Sequence, residues 1–155
     1  MRGKAIQRKS FYSPANCKSF TLVEIMIVVG VIMILALLSI PQILRSNITS
    51  NEVAAVANLR NVYTALQMYY VDNGRVYPTQ LTDLSGEYIS PELASGSKSG
   101  YIFSYTQDNE DQFHINASPR TPGRTGTQYY YLDETNIIRY NSDGEAGPDD
   151  PSIAE

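Results

Sequence analysis

Cysteine and histidine are almost absent from this 155-residue chain, which contains one of each. Cys17 has no second cysteine to pair with, so no intramolecular disulfide can stabilise the fold. His114 alone cannot supply the ligand set of a zinc site, and the chain has no Gly-x-Ser-x-Gly or phosphate-loop motif. An alternating stretch around His114 places it on the solvated face of a strand. These absences argue against an enzyme.

Acidic residues are missing from the first 19 positions, which hold five Lys or Arg, although the whole chain has 12 basic and 16 acidic residues. The remainder is therefore strongly acidic, and nucleic-acid binding through a basic face is not expected. The length suits one globular domain with its own core.

Charge is also missing from Ile25 to Leu44, a run of 20 residues. A helix of about this length crosses a hydrocarbon core of roughly 30 Å. The basic N-terminal flank predicts that this end stays in the cytoplasm while the rest is exported. A cleaved secretory signal would have a shorter apolar region, of about 7–15 residues. The run therefore predicts a membrane helix.

After Pro41 the apolar residues thin into a stripe with three- and four-residue steps, which predicts that the helix continues as an amphipathic one. It should run from about residue 20 to residue 72, where Gly74 can supply a left-handed cap. Half of such a helix must pack on something outside the membrane. The stripe comprises Ile48, Ala55, Val56, Leu59, Val62, Tyr63, Leu66 and Tyr70.

The second half of the chain is predicted to form a connecting segment followed by a β-sheet. Residues 73–100 are rich in Pro, Ser and Gly, with a short helix expected at 79–84 and a flexible run at 95–100. Alternating residues then predict three or four antiparallel strands within 101–140 and an irregular acidic tail over 141–155. The fold class is α+β, with the helix stripe covering an apolar sheet face that contains Tyr101, Phe103, Tyr105, Phe113 and Ile115. The expected strands are 101–106, 113–117, 127–132 and 137–140.

The segment Lys18-Ser-Phe-Thr-Leu-Val-Glu24, with its uncharged run and Pro41, resembles the N-terminal signature of type IV pilins and type II secretion pseudopilins. The resemblance implies a pilin fold and cleavage between Ser19 and Phe20 by a prepilin peptidase, which then methylates the Phe20 amine. It departs from the family pattern at Ser19, where glycine is usual. By this reading residues 1–19 form a leader, 20–44 a membrane and filament-core helix, and 45–155 an exported domain.

Glu24 lies where hydrocarbon penalises a carboxylate. The resemblance implies that Glu24 of one copy pairs with the Phe20 amine of a neighbour in a filament, so both residues are predicted to direct assembly. A boundary residue that merely reaches the headgroups is the alternative. Pro41 is expected to kink or loosen the helix.

The acidic tail offers a possible calcium site. Some major pseudopilins bind calcium near the C terminus, and Asp143, Glu145, Asp149 and Asp150 could supply oxygen ligands. A solvated tail without any bound cofactor is the alternative, because the spacing is not that of an EF-hand.

The leading functional hypothesis is a structural filament subunit. It would reside in the inner membrane with a periplasmic domain, and later in a pilus or pseudopilus at the cell surface. Its expected partners are other copies or other pilins, the prepilin peptidase and an assembly platform. The alternative is a membrane-anchored periplasmic binding module that never polymerises. Because some pilins close the C-terminal region with a disulfide, its absence leans slightly toward a pseudopilin, or toward a pilin from a lineage without that bridge.

Overall fold

The computed structural model describes residues 20–153, apart from the side chains of residues 38–41. The leader, Cys17 and Ser19 lie outside this range, and so does the Pro41 side chain. The chain divides into two compact units, residues 1–39 and 40–155. One helix, α1 (Leu22–Asp72), contributes residues to both units.

In its first part, α1 contains a window long and apolar enough to cross a membrane, with a mean hydropathy of 2.9 and none of the window buried. This window agrees with the predicted membrane helix in length and in composition. The helical backbone is continuous through position 41.

The second part of α1 buries the predicted stripe. Ala55, Leu59, Val62 and Leu66 are 0% exposed and join one hydrophobic core. Val56, Tyr63 and Tyr70 are partly buried against that core. From Ala55 onward the three- and four-residue spacing therefore predicted the buried face correctly, because those steps return to one side of a helix. Ile48, the first residue of the predicted stripe, is only partly buried and is not part of this core.

The end of α1 is closed by the predicted glycine. Gly74 has φ +72°, and the Arg75 N–H donates to the Tyr70 carbonyl at 2.8 Å. This six-to-one bond is the Schellman arrangement, which gives the last carbonyls of the helix a donor. The helix stops at Asp72, as the sequence predicts.

Two short helical pieces follow, of which one was expected. A 3₁₀ helix (Leu81–Leu84) lies within the predicted 79–84 segment and buries Leu81 and Leu84. The second, α2 (Pro91–Ala94), was not predicted, although Ser90 and Pro91 form a typical start. The Ser90 hydroxyl accepts from the Leu93 N–H at 3.4 Å.

Five antiparallel strands form one sheet in chain order. Their bounds are β1 (Ser97–Lys98), β2 (Tyr101–Asn109), β3 (Gln112–Pro119), β4 (Tyr129–Asp133) and β5 (Ile138–Asn141). Strands β2 to β5 correspond to the four predicted strands. The strand β1 was missed, and the expectation of a flexible run over 95–100 was wrong there, because Ser97 and Lys98 pair with Ile102 and Tyr101.

The sheet face toward the core is the predicted one. Tyr101, Phe113 and Ile115 are 0% exposed, and Phe103 is buried beside them. Tyr105 is half-buried and donates its hydroxyl to the Pro78 carbonyl at 2.7 Å. The alternating pattern succeeded because successive side chains of a strand point to opposite faces.

His114 lies on the other face of β3, as its position between Phe113 and Ile115 predicts. Its Nδ1 lies within hydrogen-bond distance of Asp108 Oδ2, at 2.7 Å. Its ring also stacks on Tyr131, with centroids 6.0 Å apart.

The loop between β3 and β4 is fastened to α1 by two helix side chains. Asn51 donates to the Thr125 carbonyl at 2.9 Å. Glu52 Oε1 accepts from both the backbone N–H and the hydroxyl of Thr127, each at 2.8 Å. These bonds join parts of the chain more than 70 residues apart, so the loop is held to the helix without a disulfide.

Gly126, in the same loop, is predicted to be intolerant of a side chain. A Cβ there would clash with the hydroxyl oxygen of buried Tyr101, so Gly126→Ala should lower the free energy of unfolding by about 1–3 kcal/mol. Near-UV circular dichroism during thermal unfolding of the detergent-solubilised chain measures the change. Gly144→Ala is the matched control, because nothing lies within 4 Å of its added methyl. Equal melting temperatures for the two variants would contradict this packing.

Buried tyrosines predict a loss of stability in alkali. Burial raises the pKa of Tyr130 to about 12 from its ordinary value of 10.0, and burial also raises the pKa values of Tyr101 and Tyr105. The unfolded chain therefore loses these protons first, so stability is fully present below pH 10 and falls as pH rises toward 12. Urea unfolding at a series of pH values measures this slope. Tyr130→Phe should make it shallower, and an unchanged slope would refute the assignment.

Candidate functional site

The start of α1 is built by Thr21, which precedes the first helical residue. Its side-chain oxygen accepts from the Glu24 N–H at 3.2 Å, and its carbonyl accepts from the Ile25 N–H at 3.3 Å. Thr21 is therefore the N-cap, a position at which loss of a hydroxyl costs about 1 kcal/mol.

Glu24 follows in the first turn of the helix. The order Thr21-x-x-Glu24 has the spacing of a capping-box sequence, and an acid in the first turn interacts favourably with the positive end of the helix dipole. Within residues 20–153, no Lys, Arg or His side chain lies within 4.0 Å of its carboxylate. Glu24 thus interacts favourably with the positive end of its own helix, but it is not paired with a cation among the described residues.

The helix surface around and beyond Glu24 is apolar on all sides. Leu22 is 75% exposed and Leu37 is 71% exposed, with the large apolar residues between them also exposed. So much exposed apolar surface is unstable in water and suits a lipid bilayer or a bundle of similar helices.

The structure describes only some of the site residues predicted for the N-terminal part of the chain. Phe20 is 72% exposed, immediately before the Thr21 cap. Ser19 and the Pro41 side chain are outside the described residues, so the cleavage point and the kink stay predictions. Thr21 was missed by the sequence reasoning, although the Thr-x-x-Glu spacing was a signal that could have found it.

The acidic tail folds back beside β5. The Tyr140 N–H donates to the Pro151 carbonyl at 3.0 Å, and the Ile153 N–H donates to the Ile138 carbonyl at 2.9 Å. A single bridge joins Arg139 and Ser152. The tail has no helix or regular strand among its described residues, but backbone bonds attach it to the sheet edge.

Two of the four candidate calcium ligands already have protein partners. The Asp150 carboxylate accepts from the Gly147 N–H at 2.8 Å and from the Asn141 amide at 3.3 Å. The Glu145 carboxylate accepts from the Asn116 amide.

Asp143 and Asp149 add no metal-binding cluster to this loop. Among the described residues, no group of three or more His, Cys, Asp or Glu side chains is placed to hold a metal. The arrangement therefore does not fit a carboxylate cage, and the calcium site stays a prediction from sequence.

Known proteins match this chain both at its N-terminal segment and over most of its length. Residues 14–40 match the family model for the prokaryotic N-terminal methylation motif. The type II secretion system core protein G of Aeromonas hydrophila is 32% identical over 135 residues, covering 84% of this chain and 87% of that protein. The same protein of Escherichia coli K12 is 30% identical over 139 residues, covering 86% and 87%.

A type IV pilin is also similar, over a shorter stretch. The type IV major pilin protein PilA of Myxococcus xanthus is 35% identical over 95 residues, covering 61% of this chain and 40% of that protein. No solved structure matches this chain at a significant level. From the capped apolar helix, the sheet packed on the second part of α1 and these full-length relatives, the chain belongs to the family of type IV pilins and type II secretion pseudopilins.

Proposed function

We propose that this chain is inserted in the inner membrane through α1, cut between Ser19 and Phe20, methylated at Phe20 and then polymerised through the first part of α1. At the coarser level it is a structural filament subunit of the pilin and pseudopilin class, as its relatives are. The observation that carries the finer proposal is Glu24, the one acid in the exposed apolar first part of α1, with no cation beside it in the described chain.

An unpaired carboxylate in a membrane helix is costly. Insertion scales put an acidic or basic residue at the helix centre at about 2.5–3.5 kcal/mol. Glu24 lies near the helix start, where the dipole and the Thr21 cap reduce this cost but supply no opposite charge. For a subunit alone in the bilayer, placing a cation beside Glu24 would therefore lower the free energy.

The proposed cleavage creates that cation. Removal of residues 1–19 frees the Phe20 amine four residues from Glu24, and methylation leaves it protonated. In a staggered helical stack, the amine of one copy reaches the carboxylate of its neighbour. Pairing of both charges in a low-dielectric setting removes the penalty and fixes the stagger between copies.

Pro41 has a proposed role in extraction from the membrane. Its ring removes one backbone donor and clashes with the preceding turn of an α-helix. Local loosening there would let the apolar part of α1 adjust as it passes from lipid into the filament.

A short secretion pseudopilus is the filament type that we favour. The chain covers 87% of core protein G from two organisms but 40% of the Myxococcus major pilin. It also lacks the cysteine pair that closes the C-terminal region of disulfide-bearing pilins. Its proposed partners are other pseudopilin copies, the prepilin peptidase and the assembly platform. The relatives do not favour a binding module that never polymerises.

Processing at Phe20 predicts the mature N terminus. Mass spectrometry of membrane-extracted protein should find a chain that begins with N-methylated Phe20. Ser19→Gly should leave this product unchanged or form it faster, because the position needs a small residue. Ser19→Leu should block it. Recovery of the native chain with residues 1–19 still attached, in cells with an active prepilin peptidase, would contradict the proposal.

Loss of the Glu24 charge predicts loss of assembly. Glu24→Gln keeps the side-chain shape but cannot form an ion pair, so sheared filament yield should fall by at least about tenfold, the equivalent of one lost pair of about 1.4 kcal/mol or more. Processing and membrane insertion should stay intact. The matched control is Glu87→Gln, which makes the same change at an exposed acid of the domain formed by residues 40–155. Filaments of Glu24→Gln at native yield would refute the pairing.

A further inference from the structure

The domain formed by residues 40–155 has a cationic end. Three parts of the chain meet there, because the Asn51 amide donates to the Thr125 carbonyl and the Arg120 N–H donates to the Gly100 carbonyl, each at 2.9 Å. These parts are residues 45–51 of α1, the β1–β2 turn at 99–100 and the loop 118–128, and their sequences contain no acid. We name this surface the basic end, and its cations are Arg45, Arg120 and Arg124.

The three arginines of the basic end are exposed and carry uncompensated charge. Within residues 20–153, none of their guanidinium groups lies within 4.0 Å of a carboxylate. Arg120 donates to the Ser97 hydroxyl, which is neutral. Glu52 is the acid next to this end along α1, and its carboxylate is engaged by Thr127. The basic end therefore keeps a positive charge within a strongly acidic domain.

The opposite end of the domain is acidic. The Tyr88 hydroxyl donates to Asp72 at 3.0 Å, and the Tyr77 N–H donates to the Glu110 carbonyl at 2.9 Å, so three more parts of the chain meet near the end of α1. Residues 72–77, 83–88 and 107–112 together hold six acids and one cation, Arg75. The charge of this domain is thus separated along the second part of α1.

The basic end lies where the uncharged run of α1 stops. Arg45 is the first charged residue after Leu44, so a chain inserted through that run has Arg45 at the level of the lipid headgroups. Asn51, which holds the arginine-bearing loop, follows six residues later, about 9 Å along the axis at about 1.5 Å per residue. The Debye length is about 10 Å at 0.1 M salt, so headgroup charge acts on the loop as well.

We propose that the basic end contacts anionic phospholipid headgroups, such as phosphatidylglycerol, while the subunit resides in the membrane. The proposal rests on the membrane insertion contained in the proposed function and adds a lipid partner to it. Anionic headgroups attract basic segments that lie beside a membrane helix. The contact holds the domain on the membrane surface until the subunit leaves the bilayer.

A second copy is a less suitable source of the anion for a subunit in the membrane. Asp72 follows Arg45 by 27 residues, about 40 Å along the helix at about 1.5 Å per residue. Copies inserted in the same direction therefore hold their acidic ends several Debye lengths from the level of the basic end. Headgroups are present at that level around every inserted copy.

Spin-label electron paramagnetic resonance on the full-length chain tests the contact. The chain carries Cys17→Ser and a label on Thr121→Cys, between the two loop arginines, with one copy in each lipid nanodisc. The discs contain phosphatidylcholine alone or with about 30% phosphatidylglycerol, plus a trace of nickel chelate attached to headgroups. Collisions between label and nickel should be more frequent with phosphatidylglycerol at low salt. The difference should vanish at about 1 M salt, where the Debye length is about 3 Å.

Removal of the loop cations should release the domain. Each cation strengthens attachment about fivefold at an anionic surface and about twofold one Debye length away. Arg120→Gln with Arg124→Gln should therefore lower the ratio of attached to detached domain by about four- to 25-fold. The matched control is Arg75→Gln, which removes an exposed cation from the acidic end and should leave the ratio unchanged. Thermal melting reports folding, and Arg124→Gln alone, with a two- to fivefold loss, replaces the double variant if that variant unfolds.

The outcomes separate this inference from the proposed function. Equal collision rates in the two kinds of disc, or equal losses from Arg75→Gln and from the loop variants, overturn the lipid contact and leave the filament subunit intact. A collision rate that rises only in discs with two or more copies assigns the basic end to another copy and also overturns it. A native chain that inserts into neither kind of disc overturns both the inference and the proposed function.

Discussion

A carboxylate at the start of an apolar helix is the constraint from which the rest of this molecule follows. Glu24 is compatible with its own helix through the Thr21 cap and the helix dipole, yet no cation lies beside it in residues 20–153. A soluble protein would bury such a helix in its core, but here the apolar side chains remain exposed. The helix is therefore suited to surroundings that supply both apolar contact and one positive charge, and under the proposed function a processed copy of the same chain supplies both.

The domain formed by residues 40–155 is built around the second part of α1. Ala55, Leu59 and Leu66 are fully buried against the sheet, so the apolar stripe of the helix is part of the core of this domain. The bonds from Asn51 and Glu52 to the β3–β4 loop fasten the sheet to the same helix. With one cysteine in the chain, these polar bonds and the aromatic core provide the stability that a disulfide provides in other pilins.

Sequence reasoning recovered the parts of the fold that depend on periodicity. The buried face of α1, its end at Gly74 and strands β2 to β5 all follow from local patterns of side chains and one glycine. It failed at β1, where Ser97 and Lys98 look like a linker and become a strand only because β2 offers them partners. The groove lined by Val53 and Tyr140 was also beyond prediction, since these residues are 87 positions apart in the sequence and line one surface only through the fold. Of the candidate site, Glu24 was proposed from its conflict with hydrocarbon and stays a prediction, whereas the Thr21 cap was overlooked.

The central claim is that Glu24 finds its counter-ion on another copy. Solid-state NMR on filaments mixed from two pools of chain tests it directly, with ¹⁵N in the Phe amines of one pool and ¹³C in the Glu carboxyls of the other. Dipolar coupling between the Phe20 nitrogen and the Glu24 carboxyl carbon should correspond to a nitrogen-to-oxygen contact within about 4 Å, the range of an ion pair. Coupling found only when both labels are in the same chain, or no coupling in well-ordered filaments, would contradict the account.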